Sequence, residues 1–500
     1  MIAYVALTTT FFLHLRSFYH SETGFTSLIE FGDEFAPRRL ARLADVPIYN
    51  VAGFGYDGQF YAQIAVAGNP FDPALVTALD SVAYRNRRVL VPALAHVMGL
   101  GRPALVLTIY ALFNVFCWVI LAALLARWWF PPTDLQNLLR WAGFLFGVGL
   151  LLSVTRSLSD GPSLLLIAAG VRAVEQRRPW LAAILLGTAG LARETSVLAA
   201  PALLPGGLRV EGRRAWMLAA ARIAICVLPA GVWMAVLRAH FGYAGGGQNF
   251  APPLFGFAGK LGEVHDTWRT GGFAIARDEF LAVVALAVQV GLVLGRPRPR
   301  EPWWAAGAPF ALFAFLLGDA VWEGNLGAAT RVLLPVTLAF NVLAPRTRRG
   351  LILLLVGNLT VLSATHAMRP MQRSVEPVFA GGVTVRYPEN WYPREINGPH
   401  NFRWASGSAE MKLQNPGAPR AVRIDFALRS VSARTVVIRV GDLERSVAVP
   451  GDVVTPVHLE HVTLGEGTTL VRFSTEEPPW LEPGTAKRKL SFSVHDLSVR

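Results

Sequence analysis

The sequence predicts a polytopic α-helical membrane protein followed by a soluble all-β sandwich, and three observations carry that expectation. Of the 500 residues, 53% are hydrophobic and 16% charged, and the mean hydropathy is +0.39, a balance that describes a chain solvated largely by lipid. Apolar runs bounded by charges recur from the start to Met368. Beyond Met368 they stop, Pro and Gly rise, and short alternating segments take over.

Candidate spans are read as apolar runs, at about 20 residues for an untilted helix and fewer where protein shields a broken one. Ala104 to Ala126 is the clearest. Trp141 to Val154, Pro162 to Val174, Leu181 to Leu204, Ala215 to Leu237, Phe280 to Leu294, Trp303 to Val321, Val332 to Ala344 and Leu351 to Ala364 follow. The opening MIAYVALTTTFFLHL lacks the basic flank and small-residue cleavage site of a signal peptide and reads as a retained first span. Cys117 and Cys226 both fall inside apolar runs, so neither a disulfide framework nor a cysteine metal site is indicated.

The net charge of +13 is almost all arginine, the only lysines being Lys260, Lys412, Lys487 and Lys489. Its placement points to topology rather than to nucleic acid, because Arg177 with Arg178, Arg209 with Arg213 and Arg214, Arg296 with Arg298 and Arg300, and Arg346 with Arg348 and Arg349 sit in short loops. Positive loops stay in the cytoplasm. For these four to share one side, LLGTAGLARETSVLAAPALL, residues 185–204, must turn back near Arg193 and Glu194, which is tolerated where protein or a wet cavity shields the break. The expected topology is roughly eleven crossings with the N-terminus inside and the C-terminus outside. Asp57, Arg85, Arg87, Arg88, Asp160, Arg193, Glu194, Glu323 and Arg331 then all fall at the outer face.

The segments AVRIDFAL, TVVIRV, RSVAVPG, TPVHLEHVTL, TTLVRFS and KLSFSVHDLSV alternate with period two between turn residues, the pattern of an antiparallel sandwich over residues 369–500. Residues 1–368 form the membrane part. Within it, residues 241–278 hold GYAGGGQNFAPP and then His265, Asp266, Trp268 and Arg269, long enough for a loop over a site.

The first outer loop, residues 16–88, carries GYDGQFYAQIA. Phe60, Tyr61, Ile64 and Ala65 share one face of a helix expected to lie in the membrane interface. Asp57 heads that helix, where it can serve as an N-cap or as a carboxylate that takes a proton from an acceptor hydroxyl. Tyr56, Gln59 and Tyr61 would line the same site. Next comes AYRNRRVLVPALAHVMGLG, in which Tyr84 and the guanidiniums of Arg85, Arg87 and Arg88 precede an apolar segment. Arginines at headgroup level suit a lipid phosphate, or snorkel to anionic headgroups.

In the order of these two motifs and the spans that follow, the chain resembles the GT-C superfamily of integral membrane glycosyltransferases, and is particularly similar to the mannosyltransferases of GPI-anchor assembly and their bacterial relatives. The motif-level match lies within residues 55–100. The resemblance implies an outward-facing site, a polyprenyl-phosphate sugar donor, an essential carboxylate at Asp57 and a tyrosine-arginine pair at Tyr84 and Arg85. An acidic pair after the first span, usual in some branches, is represented by Asp33 and Glu34 in EFGDEF, which compete with Asp57. SLSDGPS with Asp160, LARETS with Arg193 and Glu194, and WEGNLGAATRVLLP with Glu323 and Arg331 match polar helix ends of bacterial members only loosely, and each serves equally as a structural ion pair.

The chemistry so implied is inverting sugar transfer to an extracytoplasmic glycan or glycolipid, with Asp57 as base and Arg85, Arg88, Arg193 and Arg331 on the departing phosphate. No glycine-rich phosphate loop opens a strand-turn-helix unit. A divalent metal, Mg or Mn, is required by some superfamily members and not by others; Asp57 with Asp160 would supply oxygen ligands. His265 and Glu323 are further site-lining candidates. In the sandwich, Trp391, Tyr392 and Trp404 are flat surfaces suited to an acceptor glycan or to a domain core. Two other classes fit parts of the sequence: a transporter or flippase of a lipid-linked glycan, since broken helices and intramembrane charges mark transporters too, and a non-catalytic envelope protein that binds polysaccharide. No internal repeat supports the first, and a long outer loop bearing Asp57 favours an enzyme. The arginine bias fits a GC-rich bacterium, hence an inner membrane with a periplasmic site.

Overall fold

The computed structural model describes residues 1–51, 53–204, 212–243, 249–322, 328–371, 373, 383–388, 390–392, 394–397, 400–415, 417–482 and 488–500. The chain forms two compact units, one of Met1–Phe31, Phe35–Tyr49 and Gly55–Met371, the other of Gly32–Glu34, Asn50–Phe54 and Gln372–Arg500.

The first unit is helical. Four of its helices are long and apolar enough to cross a membrane: Pro103–Trp128, Arg213–Phe241, Phe273–Gly295 and Arg348–Ala367. Pro103 starts the first of them, where its missing N–H is no loss. A fifth span is possible if Leu135–Leu145 and Val148–Thr155, bent by 44°, count as one. Among the described residues this is fewer than the eleven crossings expected. The difference has a physical origin, because Pro179–Ala192, Pro302–Leu316 and Leu334–Leu343 are too short to span alone and bury much of their surface in protein; in Leu334–Leu343 every residue but Val342 is buried. An apolar run of 10–14 residues is as well a buried core helix as a span.

Three local expectations meet different outcomes. The break near Arg193 is present: Pro179–Ala192 ends there, Arg193 takes extended angles of φ −150 and ψ 121, and a 3-10 helix runs Glu194–Leu203. The helix Gly58–Ala67, expected to lie in the interface, is instead buried at all ten positions. Its polar groups are answered inside the fold, since Gln63 donates to the Ala78 carbonyl at 3.0 Å and accepts the Leu40 N–H at 3.1 Å. The stretch 241–278, expected as a loop, carries the helix Phe255–Gly271, delimited by Leu254 at φ 67 and Gly272 at φ 81; part of its glycine run, 244–248, lies outside the described residues.

In the second unit two antiparallel five-stranded sheets share one core. One has the order Thr455–Leu464, Arg420–Arg429, Ser493–Val499, His400–Trp404, Glu395–Asn397, the other Thr384–Arg386, Ala409–Asn415, Gly467–Ser474, Arg434–Val440, Leu443–Val449. Period two does the sorting: along Arg420–Arg429, Val422, Ile424, Phe426 and Leu428 point inward, where they join Val436, Ile438 and Phe473 of the other sheet.

Candidate active site

Asp57 occupies the N-cap position of Gly58–Ala67, yet its side chain caps nothing. Gly58 explains how the helix starts there: a side chain at 58 would run into the Arg156 carbonyl and come within 2.9 Å of that of Ile29. The Asp57 carboxylate, one third exposed, faces the Arg85 guanidinium at 2.8 Å. Arg85 donates from its other edge to both oxygens of Asp80, at 2.8 and 2.6 Å. Its guanidinium lies 4.9 Å from the Phe60 ring and 5.3 Å from that of Tyr84, so aromatic faces and two carboxylates fix its plane.

Around this pair the first unit collects further charges. Arg88 donates to Glu194 at 3.2 and 3.4 Å and to the Tyr61 hydroxyl at 2.7 Å. Arg193 pairs with Asp160, whose second oxygen lies 3.4 Å from Arg331. Arg331 also donates to the Tyr56 hydroxyl at 2.8 Å. Arg156 lies 4.2 Å over the Tyr56 ring and 3.5 Å from Glu30, and Glu30 itself is left-handed at φ 55. Five carboxylates (Glu30, Asp57, Asp80, Asp160, Glu194) thus face five guanidiniums (Arg85, Arg88, Arg156, Arg193, Arg331). Such mutual compensation is what burial demands of charge.

Burial alone would push the Asp57 carboxyl up, but Arg85, with Arg331 and Arg88 behind it, overrides burial and holds it below the usual carboxylate range. Asp57 is therefore a partly exposed, ionised acceptor at neutral pH. Among the described residues no three His, Cys, Asp or Glu side chains gather as a metal cluster. An oxygen ligand for a divalent ion is best offered by Asp57, one third exposed and facing arginine through a single oxygen; Asp80 has both oxygens held by Arg85, and Asp160, the partner expected from sequence, is 1% exposed with both oxygens held by arginine.

The structure thus brings together Asp57, Tyr56, Tyr61, Tyr84, Arg85, Arg88, Asp160, Arg193, Glu194 and Arg331. Tyr84 accepts from Asn249 at 3.3 Å and meets Arg85, Arg87 and Arg88 on its ring. Gln59 is fully buried in its helix. His265 is exposed on Phe255–Gly271 with no polar or ring partner among the described residues, and Glu323 lies outside them. Asp33 and Glu34 belong to the second unit, where Asp33 pairs with Arg394 and Glu34 with Arg403 at 3.0 Å. In that unit Trp404 is buried and Trp391 packs edge-on to Phe473 and Phe492, its indole donating to the Glu410 carbonyl at 2.7 Å. Tyr392 is half-buried under Arg488. Sequence reasoning missed Asp80, Glu30 and Arg156; only Asp80, five residues before Arg85, carried a local signal.

No family profile and no curated protein matches this chain. Among solved structures, the carbohydrate-binding module TmCBM61 in complex with β-1,4-galactotriose is similar to 24% of this chain and 88% of its own, at 14% identity and a TM-score of 0.16, a likeness too slight to carry an argument.

Proposed function

We propose that the protein is an inverting membrane glycosyltransferase that moves a sugar from a polyprenyl-phosphate donor to an extracytoplasmic glycan or glycolipid. The observation that carries this reading is Asp57: a helix-heading carboxylate that caps nothing, stays accessible, and is held ionised by Arg85 within an arginine-rich network. In the proposed step the acceptor hydroxyl gives its proton to Asp57 as its oxygen attacks the anomeric carbon. The bond from that carbon to the lipid phosphate breaks, and the electron pair leaves on the phosphate. Arg88, Arg193 and Arg331 are within the same network to stabilise the charge that develops. Each must first exchange a carboxylate partner for the phosphate, so binding and rearrangement of the network are one event. A divalent ion, if used, would take Asp57 as its oxygen ligand. The setting is a bacterial inner membrane with the site on its outer side, the short helices adding crossings where neighbours shield them.

The test is transfer from a panel of radiolabelled polyprenyl-phosphate sugars by the purified chain in lipid, comparing wild type with Asp57→Asn and Asp33→Asn. Loss of turnover in the first alone supports the reading. Loss in the second alone moves the base to Asp33. Passage of lipid-linked sugar across the bilayer without turnover would favour a transporter.

A further inference from the structure

Away from the charged network, the helices Ile2–Leu15 and Pro103–Trp128 enclose a groove of about 500 Å3, within the range of ligand pockets, roughly 300–1,000 Å3. One wall follows Val5, Thr9 and Phe12; the other follows Val119, Ala123 and Arg127. Residues spaced by three or four stand in line along a helix, so both walls run parallel to the helix axes. Ala122, Ala126, Trp118 and Trp141 also line it, the Trp141 indole donating to the Ala122 carbonyl at 2.9 Å. Thr8 donates its hydroxyl to the Tyr4 carbonyl at 2.8 Å, which removes one of the few polar groups on the wall. The groove is lined almost wholly by apolar side chains.

Its end is not apolar. Arg127 is exposed, its guanidinium lies 5.8 Å from the Trp128 ring, and no carboxylate pairs with it among the described residues. A cation at a helix C-terminus is favoured by the dipole, but here it also terminates an apolar groove, beside two tryptophans of the kind that mark headgroup level. Apolar walls with one guanidinium at the end fit a molecule with a hydrocarbon chain and an anionic head. The sugar donor is a poor fit. Asn114, on the same helix, is tied to the Leu158 carbonyl next to Asp160, and Arg127 lies thirteen residues further on, roughly 20 Å along the axis. A phosphate at Arg127 is therefore not the phosphate that the network handles.

We propose that this groove seats an acyl chain of an anionic glycerophospholipid, with the headgroup phosphate on Arg127. The lipid closes the seam between the two helices and fills space that would otherwise be void. The site is independent of the proposed transferase reading.

The experiment is native mass spectrometry of the full chain from mild detergent, after exchange with equal amounts of phosphatidylglycerol and phosphatidylethanolamine. Wild type should retain one phosphatidylglycerol in preference. Arg127→Gln should lower that preference roughly fivefold, the weight of one guanidinium near an anionic surface. Ala123→Phe, at an exposed position, should fill the groove and abolish retention while thermal unfolding stays at the wild-type temperature. Equal retention in wild type and Ala123→Phe, or an undiminished preference in Arg127→Gln, would overturn the proposal. So would one-for-one displacement of the phospholipid by polyprenyl phosphate.

Discussion

Arg85 gives Asp57 a single nitrogen at 2.8 Å because Asp80 holds the other edge of its fork. Asp80 thus limits how tightly Arg85 can grip the proposed base. In Asp80→Asn a neutral amide oxygen replaces the competing carboxylate, so more of the guanidinium's charge acts on Asp57, whose carboxyl drops further below its usual range and accepts a proton less well. Transfer should fall roughly tenfold, a fraction of the 10²–10⁴ that a general base contributes, and the acid limb of its pH profile should move to lower pH. Asp80→Glu should restore both. An unmoved acid limb with reduced turnover would mean that Asp80 serves packing alone.

The pH dependence of the wild type follows from the same pair. Arg85 holds Asp57 below the usual carboxylate value of about 3.9, so the base is already ionised well below neutrality. Transfer should be flat from about pH 5 upward on the acid side. Turnover that rises through an apparent pKa between 6 and 7 would count against Asp57 as the base.

Gly58 sets where Asp57 stands. A methyl group at 58 meets the backbone carbonyls of Arg156 and Ile29, neither of which is a flexible side-chain end. Gly58→Ala should displace the first turn of Gly58–Ala67, costing on the order of 1–3 kcal/mol as overpacking does, and should reduce transfer more than it reduces donor binding. A variant with wild-type melting and turnover would show that the helix start is not tightly held.

These relationships mark what the sequence can and cannot reveal. The break at Arg193 was legible because positive loops on both flanks demand a turn, and the sandwich because alternation between turn residues survives in strands such as Thr455–Leu464. Asp57 was legible from its motif. Asp160 with Arg331, 171 residues apart, or Glu30 with Arg156, were not, since no local pattern encodes a pairing made by the packing of distant helices. The expected count of eleven exceeds the four or five helices long enough to cross for a related reason: an apolar helix such as Leu334–Leu343 reads the same whether lipid or protein surrounds it. Trp391 and Trp404 show the limit for side chains, because an aromatic surface suits a sugar or a core alike until its neighbours are known.

Asp160 answers two arginines from a position only 1% exposed. Asp160→Asn leaves Arg193 and Arg331 buried without that carboxylate, although Tyr56 still accepts from Arg331. Breaking a buried pair from one side costs roughly 3–5 kcal/mol, so the variant should show a clearly lowered melting temperature and yield in detergent. Double replacement with Arg331→Met should recover part of the loss. Wild-type stability in the single variant would show that solvent, not Asp160, satisfies these guanidiniums.

His495 gives the second unit its own pH dependence. The ring is buried, stacks 4.7 Å from Phe402 across the strand pair, and meets the Ser493 hydroxyl at 2.9 Å. Burial pushes it down from 6.5 to about 4. The unfolded chain takes up this proton below about 6.5, and the folded chain only near 4. Stability from the neutral ring is therefore complete above pH 6.5 and is lost as pH falls from 6.5 towards 4, by about 3 kcal/mol at most. Pulse proteolysis of the full chain across that window, following fragments from residues 400–500, should show the loss in wild type and a flatter profile in His495→Gln. The same slope in both would assign the acid sensitivity to groups other than His495, whereas a carboxylate such as Asp425, which Arg423 and His458 hold below its usual range, loses its contribution at lower pH.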